Sequence, residues 1–313
     1  MHVVIIGLGH AGATAATEIR RLRPETEISL ITEEKHPFYF RPQLFDVVSG
    51  TKSPEQIIRY SKEWYSENKF NLHLNSPVTN IFSSKKEVQL QDGQVIGYDK
   101  LLIATGAKPF IPPVPGIENV KLSCLRHLED AKTIIRRAEN SKTKEATIIG
   151  GGLLGLELAK ALSDRGLDPT VVEIFPYLLP RQLDSEGGQF LQHLLNKKFR
   201  FSFILNAKCK SFNQKENTIT IKINDFSHSC DFLLFSAGVR PQLTLPQKAG
   251  VKVNKGILVD RFMRTNIEEI YAAGDVAEVN PMEYPGNAWG VVPPAVDQAK
   301  IASKNICGQE IGY

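Results

Sequence analysis

One pattern occurs twice in this chain, and it restricts the fold more than any other feature. His2 to Ile6 is a short apolar, β-branched run that reads as a strand. Gly7-Leu8-Gly9-His10-Ala11-Gly12 follows. Ala13 to Leu22 then reads as a helix, stopped by Pro24, and Ile28 to Thr32 reads as a second strand ending at Glu33-Glu34. The order returns from Lys144. Ala146 to Ile149 is a strand, followed by Gly150-Gly151-Gly152-Leu153-Leu154-Gly155. A helix over Leu156 to Leu162 is closed by Gly166, and a strand over Thr170 to Val172 ends at Glu173.

A lone GxGxxG is weak evidence. Here each copy follows a strand, opens a helix and meets an acid, 26 residues after Gly7 and 23 after Gly150. That context is the one dinucleotide binding requires. The first glycines, Gly7 and Gly150, permit the tight turn. The second, Gly9 and Gly152, let backbone approach a pyrophosphate. The third, Gly12 and Gly155, let helix and strand pack closely. The helix N-terminus offers N–H groups and partial positive charge to phosphates. Glu33 and Glu173 accept from ribose hydroxyls. Two such sites in one chain imply two cofactors that exchange electrons. His10 occupies a variable position of its turn and is not read as catalytic.

At 313 residues the chain holds about two domains. With 42% apolar and 23% charged residues it is an ordinary globular sequence, neither disordered nor stapled. A net charge of +4 carries no nucleic-acid signal, and no nucleic-acid partner is expected. The basic stretch Lys132 to Lys144 reads as a solvated helix face. No apolar run reaches the roughly 18 residues of a membrane span. No cation precedes the apolar stretch from His2 to Ala16, so it reads as mature structure, and a cytoplasmic location is expected. Cys124, Cys209, Cys230 and Cys307 show neither CxxC nor zinc spacing, so no metal is expected.

Three further glycine signals follow strands: Ala104-Thr105-Gly106-Ala107 after Lys100 to Ile103, Ser236-Ala237-Gly238-Val239-Arg240-Pro241, and Ala273-Gly274-Asp275-Val276 after Ile270 to Ala272. At these residues the whole chain resembles the two-dinucleotide flavoprotein reductases, also called the pyridine nucleotide-disulfide oxidoreductase family. The resemblance implies an α/β protein of two Rossmann-like domains, the NAD domain inserted in the FAD domain. FAD would occupy residues 1–112 and 242–313, and NAD(P)H residues 113–241.

Pro37-Phe38-Tyr39-Phe40-Arg41-Pro42-Gln43-Leu44 resembles the stretch found in ferredoxin and rubredoxin reductases and in the flavin part of assimilatory nitrite reductases. Asp46 and the run Leu179 to Gly188 resemble the NADH:rubredoxin oxidoreductase branch most. The disulfide reductases of the family carry a redox cysteine after the first fold, and here no cysteine precedes Cys124. Without a thiolate beside the flavin, disulfide and peroxide reduction are not expected. Residue by residue, the resemblance puts Glu33 on the FAD ribose, Val78 near the adenine, and Arg41 with Pro42 toward the pyrophosphate. It puts Ala104, Thr105, Gly106, Arg126, Gly274 and Asp275 on FAD, with Val292 beside the flavin ring. Glu157 would approach the nicotinamide and flavin, and Gly238 belongs to the NAD fold.

Glu173 favours NADH over NADPH, because a carboxylate accepts from a 2′-hydroxyl and repels a 2′-phosphate. The expected chemistry is hydride transfer from NADH to FAD, which needs no catalytic side chain. The resemblance implies onward transfer to a small iron–sulfur carrier such as rubredoxin or ferredoxin. Alternatives are a flavin-bearing subunit of a larger redox complex, an NADH oxidase or a sulfur-compound reductase. Family members usually continue into an interface domain, whereas this sequence ends at Gly312-Tyr313; the resemblance therefore leaves dimerisation and acceptor open.

Overall fold

The computed structural model describes residues 1–141, 143–199, 201–279 and 290–313. The elements used below are, in chain order, β1 (His2–Ile6), α1 (His10–Leu22), β2 (Glu27–Ile31), α2 (Leu44–Ser49), β3 (Phe70–His73), β4 (Lys100–Ile103), β5 (Leu122–Cys124), α3 (Leu128–Glu139), β6 (Glu145–Ile149), α4 (Leu153–Asp164), β7 (Asp168–Val172), α5 (Ser185–Lys198), β8 (Ser202–Ile204), β9 (Phe232–Phe235), β10 (Ile270–Ala272) and α6 (Val292–Ile306).

The chain divides into two units. One comprises Met1–Phe40, Ile58–Lys108 and Val239–Tyr313; the other comprises Arg41–Ile57 and Pro109–Gly238. Each is built on a five-stranded parallel sheet, in the order β10-β4-β1-β2-β3 in the first unit and β8-β7-β6-β9-β5 in the second. Parallel strands buried on both faces read as continuous apolar runs. Val3, Val4 and Ile5 of β1 are fully buried, as are Leu101, Leu102 and Ile103 of β4, and Phe232 to Phe235 of β9 are nearly so. In both sheets the strand before the glycine turn is central, with chain continuing to either side. Such a reversal of strand order opens a crevice at the carboxyl ends.

Helix α1 packs against α6 through small residues on both, Ala11, Ala15 and Ala16 facing Ala295, Ala299 and Ala302. Each unit also carries a three-stranded antiparallel sheet, over Val78–Phe82, Glu87–Leu90 and Val95–Gly97 in the first and Cys209–Lys215, Thr218–Ile223 and Phe226–Cys230 in the second.

Residues 41–57, expected with the first part of the chain, cluster instead with the second unit. The cause is local packing. Helix α2 lies against α3 and α4, and Arg165, just beyond α4, donates to the Val48 and Val47 carbonyls at the end of α2. A guanidinium on the last carbonyls of a helix satisfies acceptors that have no partner within it.

Candidate functional site

The two glycine turns are close structural copies. Gly7 has φ +104° and Gly150 φ +119°, a region that only glycine adopts without strain. The Gly7 N–H donates to the Ile31 carbonyl at 2.8 Å, and the Gly150 N–H to that of Val172 at 2.8 Å. A Cβ at Gly7 would lie 2.2 Å from the Ala104 oxygen, and one at Gly150 would lie 2.4 Å from the Ser236 oxygen. At the third positions, a Cβ on Gly12 would meet the Gly7 oxygen at 1.9 Å, and one on Gly155 the Gly150 oxygen at 2.0 Å. The same backbone approaches thus demand the same glycines in both copies.

Both helices begin without help from a side chain. α1 starts at Gly9 and α4 at Gly152, neither with a side-chain cap nor with an acid in the first turn. By contrast, Asp184 Oδ1 caps α5 by accepting from Gly187 N–H at 2.8 Å. An N-terminus left uncapped in this way suits an external anion. Gly152 gives the sharper test. Its backbone is ordinary, φ −77° and ψ 177°, and a Cβ there would meet nothing within 4 Å. Neither strain nor protein contact explains a glycine at that position, whereas close approach by a pyrophosphate does. The first site passes a similar test: Thr105 Oγ1 is buried with no hydrogen-bond partner among the described residues. A buried hydroxyl of this kind costs free energy unless something outside the chain bonds to it. The residues present therefore fit FAD at the first turn and a pyridine dinucleotide at the second.

Within the first unit, Gly7 to Gly12, Ala104 to Gly106 and Gly274-Asp275 converge at the carboxyl ends of the neighbouring strands β1, β4 and β10. Gly106 (φ 67°) and Gly274 (φ 81°) turn the chain there. Gly274 N–H donates to Gln298 Oε1 at 2.8 Å, and a Cβ on it would lie 2.9 Å from that of Ala11. The Asp275 carboxylate accepts from Gly290 N–H at 2.9 Å. Val292 opens α6 and is half-buried; Val78 is half-buried against the core. Glu33 stands exposed one residue beyond Thr32, while Glu34 accepts from the Tyr39 hydroxyl.

Within the second unit, Gly238 (φ 94°) follows β9 with open space where a Cβ would be. Arg41 Nη1 donates to the Arg126 carbonyl at 2.5 Å and lies 3.3 Å from His127 Nδ1. Arg41, exposed Pro42 and Arg126, expected as FAD contacts, thus lie in the unit of the second turn. Glu157 is on α4; its carboxyl is held above the usual range, by desolvation first and by the Asp46 carboxylate second. Glu173 is 6% exposed, and both its oxygens accept from backbone: Gly151 N–H at 2.6 Å and Phe175 N–H at 3.0 Å. Sequence reasoning treated the two acids alike, and it passed over Gln298 and Gly151, whose partners are distant in sequence.

Burial holds all four cysteine thiols above the ordinary thiol range. Cys230 and Cys307 are buried, and burial pushes the Cys124 and Cys209 thiols up to about 11. At pH 7.5 a thiol of that kind is thiolate in roughly one molecule in three thousand. Alkylation by iodoacetamide at that pH is therefore expected to be slow, and to accelerate toward pH 11. Rapid labelling of Cys124 or Cys209 at pH 7.5 would contradict this. Among the described residues no cluster of His, Cys, Asp or Glu is arranged to hold a metal, and no helix is long and apolar enough to cross a membrane.

Twin parallel α/β units, each with an uncapped glycine turn at the carboxyl end of its central strand, define the two-dinucleotide fold of flavoprotein reductases. Residues 1–299 match the model of the pyridine nucleotide-disulphide oxidoreductase family, and the chain belongs to that family. It is 35% identical over 310 residues to the nitrite reductase [NAD(P)H] of Bacillus subtilis, matching 98% of this chain and 38% of that protein. It is 32% identical to the NADH-rubredoxin oxidoreductase of Clostridium acetobutylicum, matching 99% of this chain and 76% of that one. The solved structure of an NAD-dependent persulfide reductase from A. fulgidus superposes with a TM-score of 0.93 at 28% identity, covering all of this chain and 60% of that one.

Proposed function

We propose that this chain is an FAD-dependent NADH oxidoreductase that passes electrons to a small one-electron iron–sulfur carrier of the rubredoxin or ferredoxin kind. The observation that carries the reading is the pair of equivalent glycine turns, each leaving a helix N-terminus and a glycine for a pyrophosphate. Gly7, Gly9, Gly12, Glu33, Ala104, Thr105, Gly106, Gly274 and Asp275 would hold FAD. Gly150, Gly152, Gly155, Glu173 and Gly238 would hold NADH. Val78, Val292, Arg41, Pro42, Arg126 and Glu157 are assigned from the family resemblance. The chemistry that bound FAD would supply is acceptance of a hydride from NADH and release of electrons one at a time. The chain's own part is to bind, orient and exclude water, and no side chain is required as acid or base.

The name of the Clostridium relative supports the carrier reading. The unactivated cysteines weigh against the sulfur chemistry of the persulfide reductase. The nitrite reductase relative supports a second reading, in which the same NADH-to-flavin step feeds a larger redox assembly. A cytoplasmic location accords with four unpaired thiols.

The test is NADH consumption by the FAD-loaded protein with rubredoxin, ferredoxin, oxygen or coenzyme A disulfide offered in turn. The expected result is turnover with an iron–sulfur carrier at least about tenfold above that with oxygen, and none with the disulfide. Turnover with the disulfide alone would overturn the assignment.

A further inference from the structure

The acids that follow the two glycine turns differ in a way that the intervening turn residue explains. In the first turn the position after the leading glycine is Leu8, and Glu33 stands exposed. In the second that position is Gly151, and Glu173 is folded onto it. Gly151 N–H donates to Glu173 Oε2 at 2.6 Å, and the Gly151 carbonyl accepts from Leu179 N–H at 3.3 Å. The segment after β7 thus closes over Gly151 on both sides of its backbone. Leu178 is fully buried there. A Cβ at Gly151 would lie 3.0 Å from Glu173 Cβ, 3.0 Å from Leu178 Cδ2 and 3.1 Å from Glu173 Oε2. Gly151 is outside the positive-φ set, so its backbone does not demand glycine, but a Cβ there would push these neighbours aside by a few tenths of an ångström.

We propose that Gly151 is a specificity-determining position: by having no side chain it lets the Glu173 carboxylate lock onto the turn, and this lock sets the discrimination between pyridine nucleotides. The proposal rests on the reading of the second turn as an NADH site. The lock has a chemical consequence. Each Glu173 oxygen accepts one backbone N–H, from Gly151 or from Phe175, and keeps a lone pair for a ribose hydroxyl. A short charge-assisted bond holds the carboxylate in one place. A 2′-phosphate therefore meets a fixed negative charge that cannot swing aside, and like charges forced together disfavour binding. Gly151 acts through Glu173 and is a positioning residue.

The experiment is calorimetric titration of the FAD-loaded protein with NAD⁺ and NADP⁺, which differ only in the 2′-phosphate and allow no hydride transfer. For the wild type the NADP⁺ dissociation constant is expected to exceed that of NAD⁺ by about a hundredfold. Gly151→Ala is expected to shrink that ratio at least about fivefold. Glu173→Gln is expected to shrink it further. Gly152→Ala, with no neighbour to disturb, weakens both nucleotides and preserves the ratio. If Gly151→Ala keeps the wild-type ratio while Glu173→Gln loses it, the carboxylate discriminates without the glycine and the proposal is overturned, with the NADH reading intact. If the wild type does not prefer NAD⁺, the NADH reading itself fails.

A second readout does not depend on how Gly151→Ala folds. In spectra of glycine-labelled protein, the Gly151 amide proton should lie far downfield, and Glu173→Gln should move it upfield. An amide indifferent to that substitution would also overturn the lock.

Discussion

Gly7→Ala is expected to give a colourless protein with a lowered melting temperature. The new methyl group faces two separate penalties. At φ +104° an L-residue is strained by about 1–2 kcal/mol. Its Cβ would also lie 2.2 Å from the Ala104 carbonyl oxygen, which is backbone and cannot rotate away. Relief requires β1 and β4 to separate, and these strands carry the fully buried Val3, Val4, Ile5 and Leu101 to Ile103. Overpacking of this kind costs about 1–3 kcal/mol. Together the penalties come to about 2–5 kcal/mol, against a total stability of about 5–15 for an ordinary domain. The separation would also displace Thr105 and Gly106, so the flavin should go with the stability. Gly152, whose φ is −77° and where a Cβ would meet nothing within 4 Å, provides the contrast: alanine there should weaken NADH binding with little change in melting temperature. A Gly7→Ala protein that stays yellow with an unchanged melting temperature would refute this account of the turn.

Gly150→Ala should separate the two sites. The strain is of the same kind, φ +119° and a Cβ 2.4 Å from the Ser236 oxygen. It acts, however, on the sheet of β6, β7 and β9, in the other unit. The expected protein is yellow, because the first turn is untouched, with NADH affinity reduced by about a hundredfold or more (about 3 kcal/mol). Flavin absorbance after desalting, together with titration of NADH, reads both quantities. Loss of flavin with NADH binding preserved would mean that the cofactors had been assigned to the wrong turns.

The turns were legible in the sequence because every residue that makes them is local. Strand, glycines, helix and acid lie within about thirty residues in each copy, and the observed strands Glu27–Ile31 and Asp168–Val172 differ from their expected spans by one or two residues. The helices begin earlier than expected, at His10 and Leu153, because Gly9 and Gly152 act as N-caps and the residues after them already turn helically. What the sequence did not disclose depends on distant contacts. Residues 41–57 follow the first fold in sequence, yet α2 packs against α3 and α4 and is tied by Arg165, more than a hundred positions away. Glu33 and Glu173 occupy the same place in the pattern. Only the folded chain shows one in solvent and the other drawn onto Gly151. The antiparallel sheets carry no dinucleotide-binding motif and were passed over for that reason, although their strands are sequence neighbours joined by short hairpin turns.

The central claim is that one chain carries both FAD and NADH and couples them. The most direct measurement is an anaerobic titration of the FAD-loaded protein with NADH, following the flavin absorbance band. Bleaching complete at about one equivalent of NADH, with NADPH far less effective, is the expected result. A yellow protein whose band is unchanged by excess NADH would contradict the account.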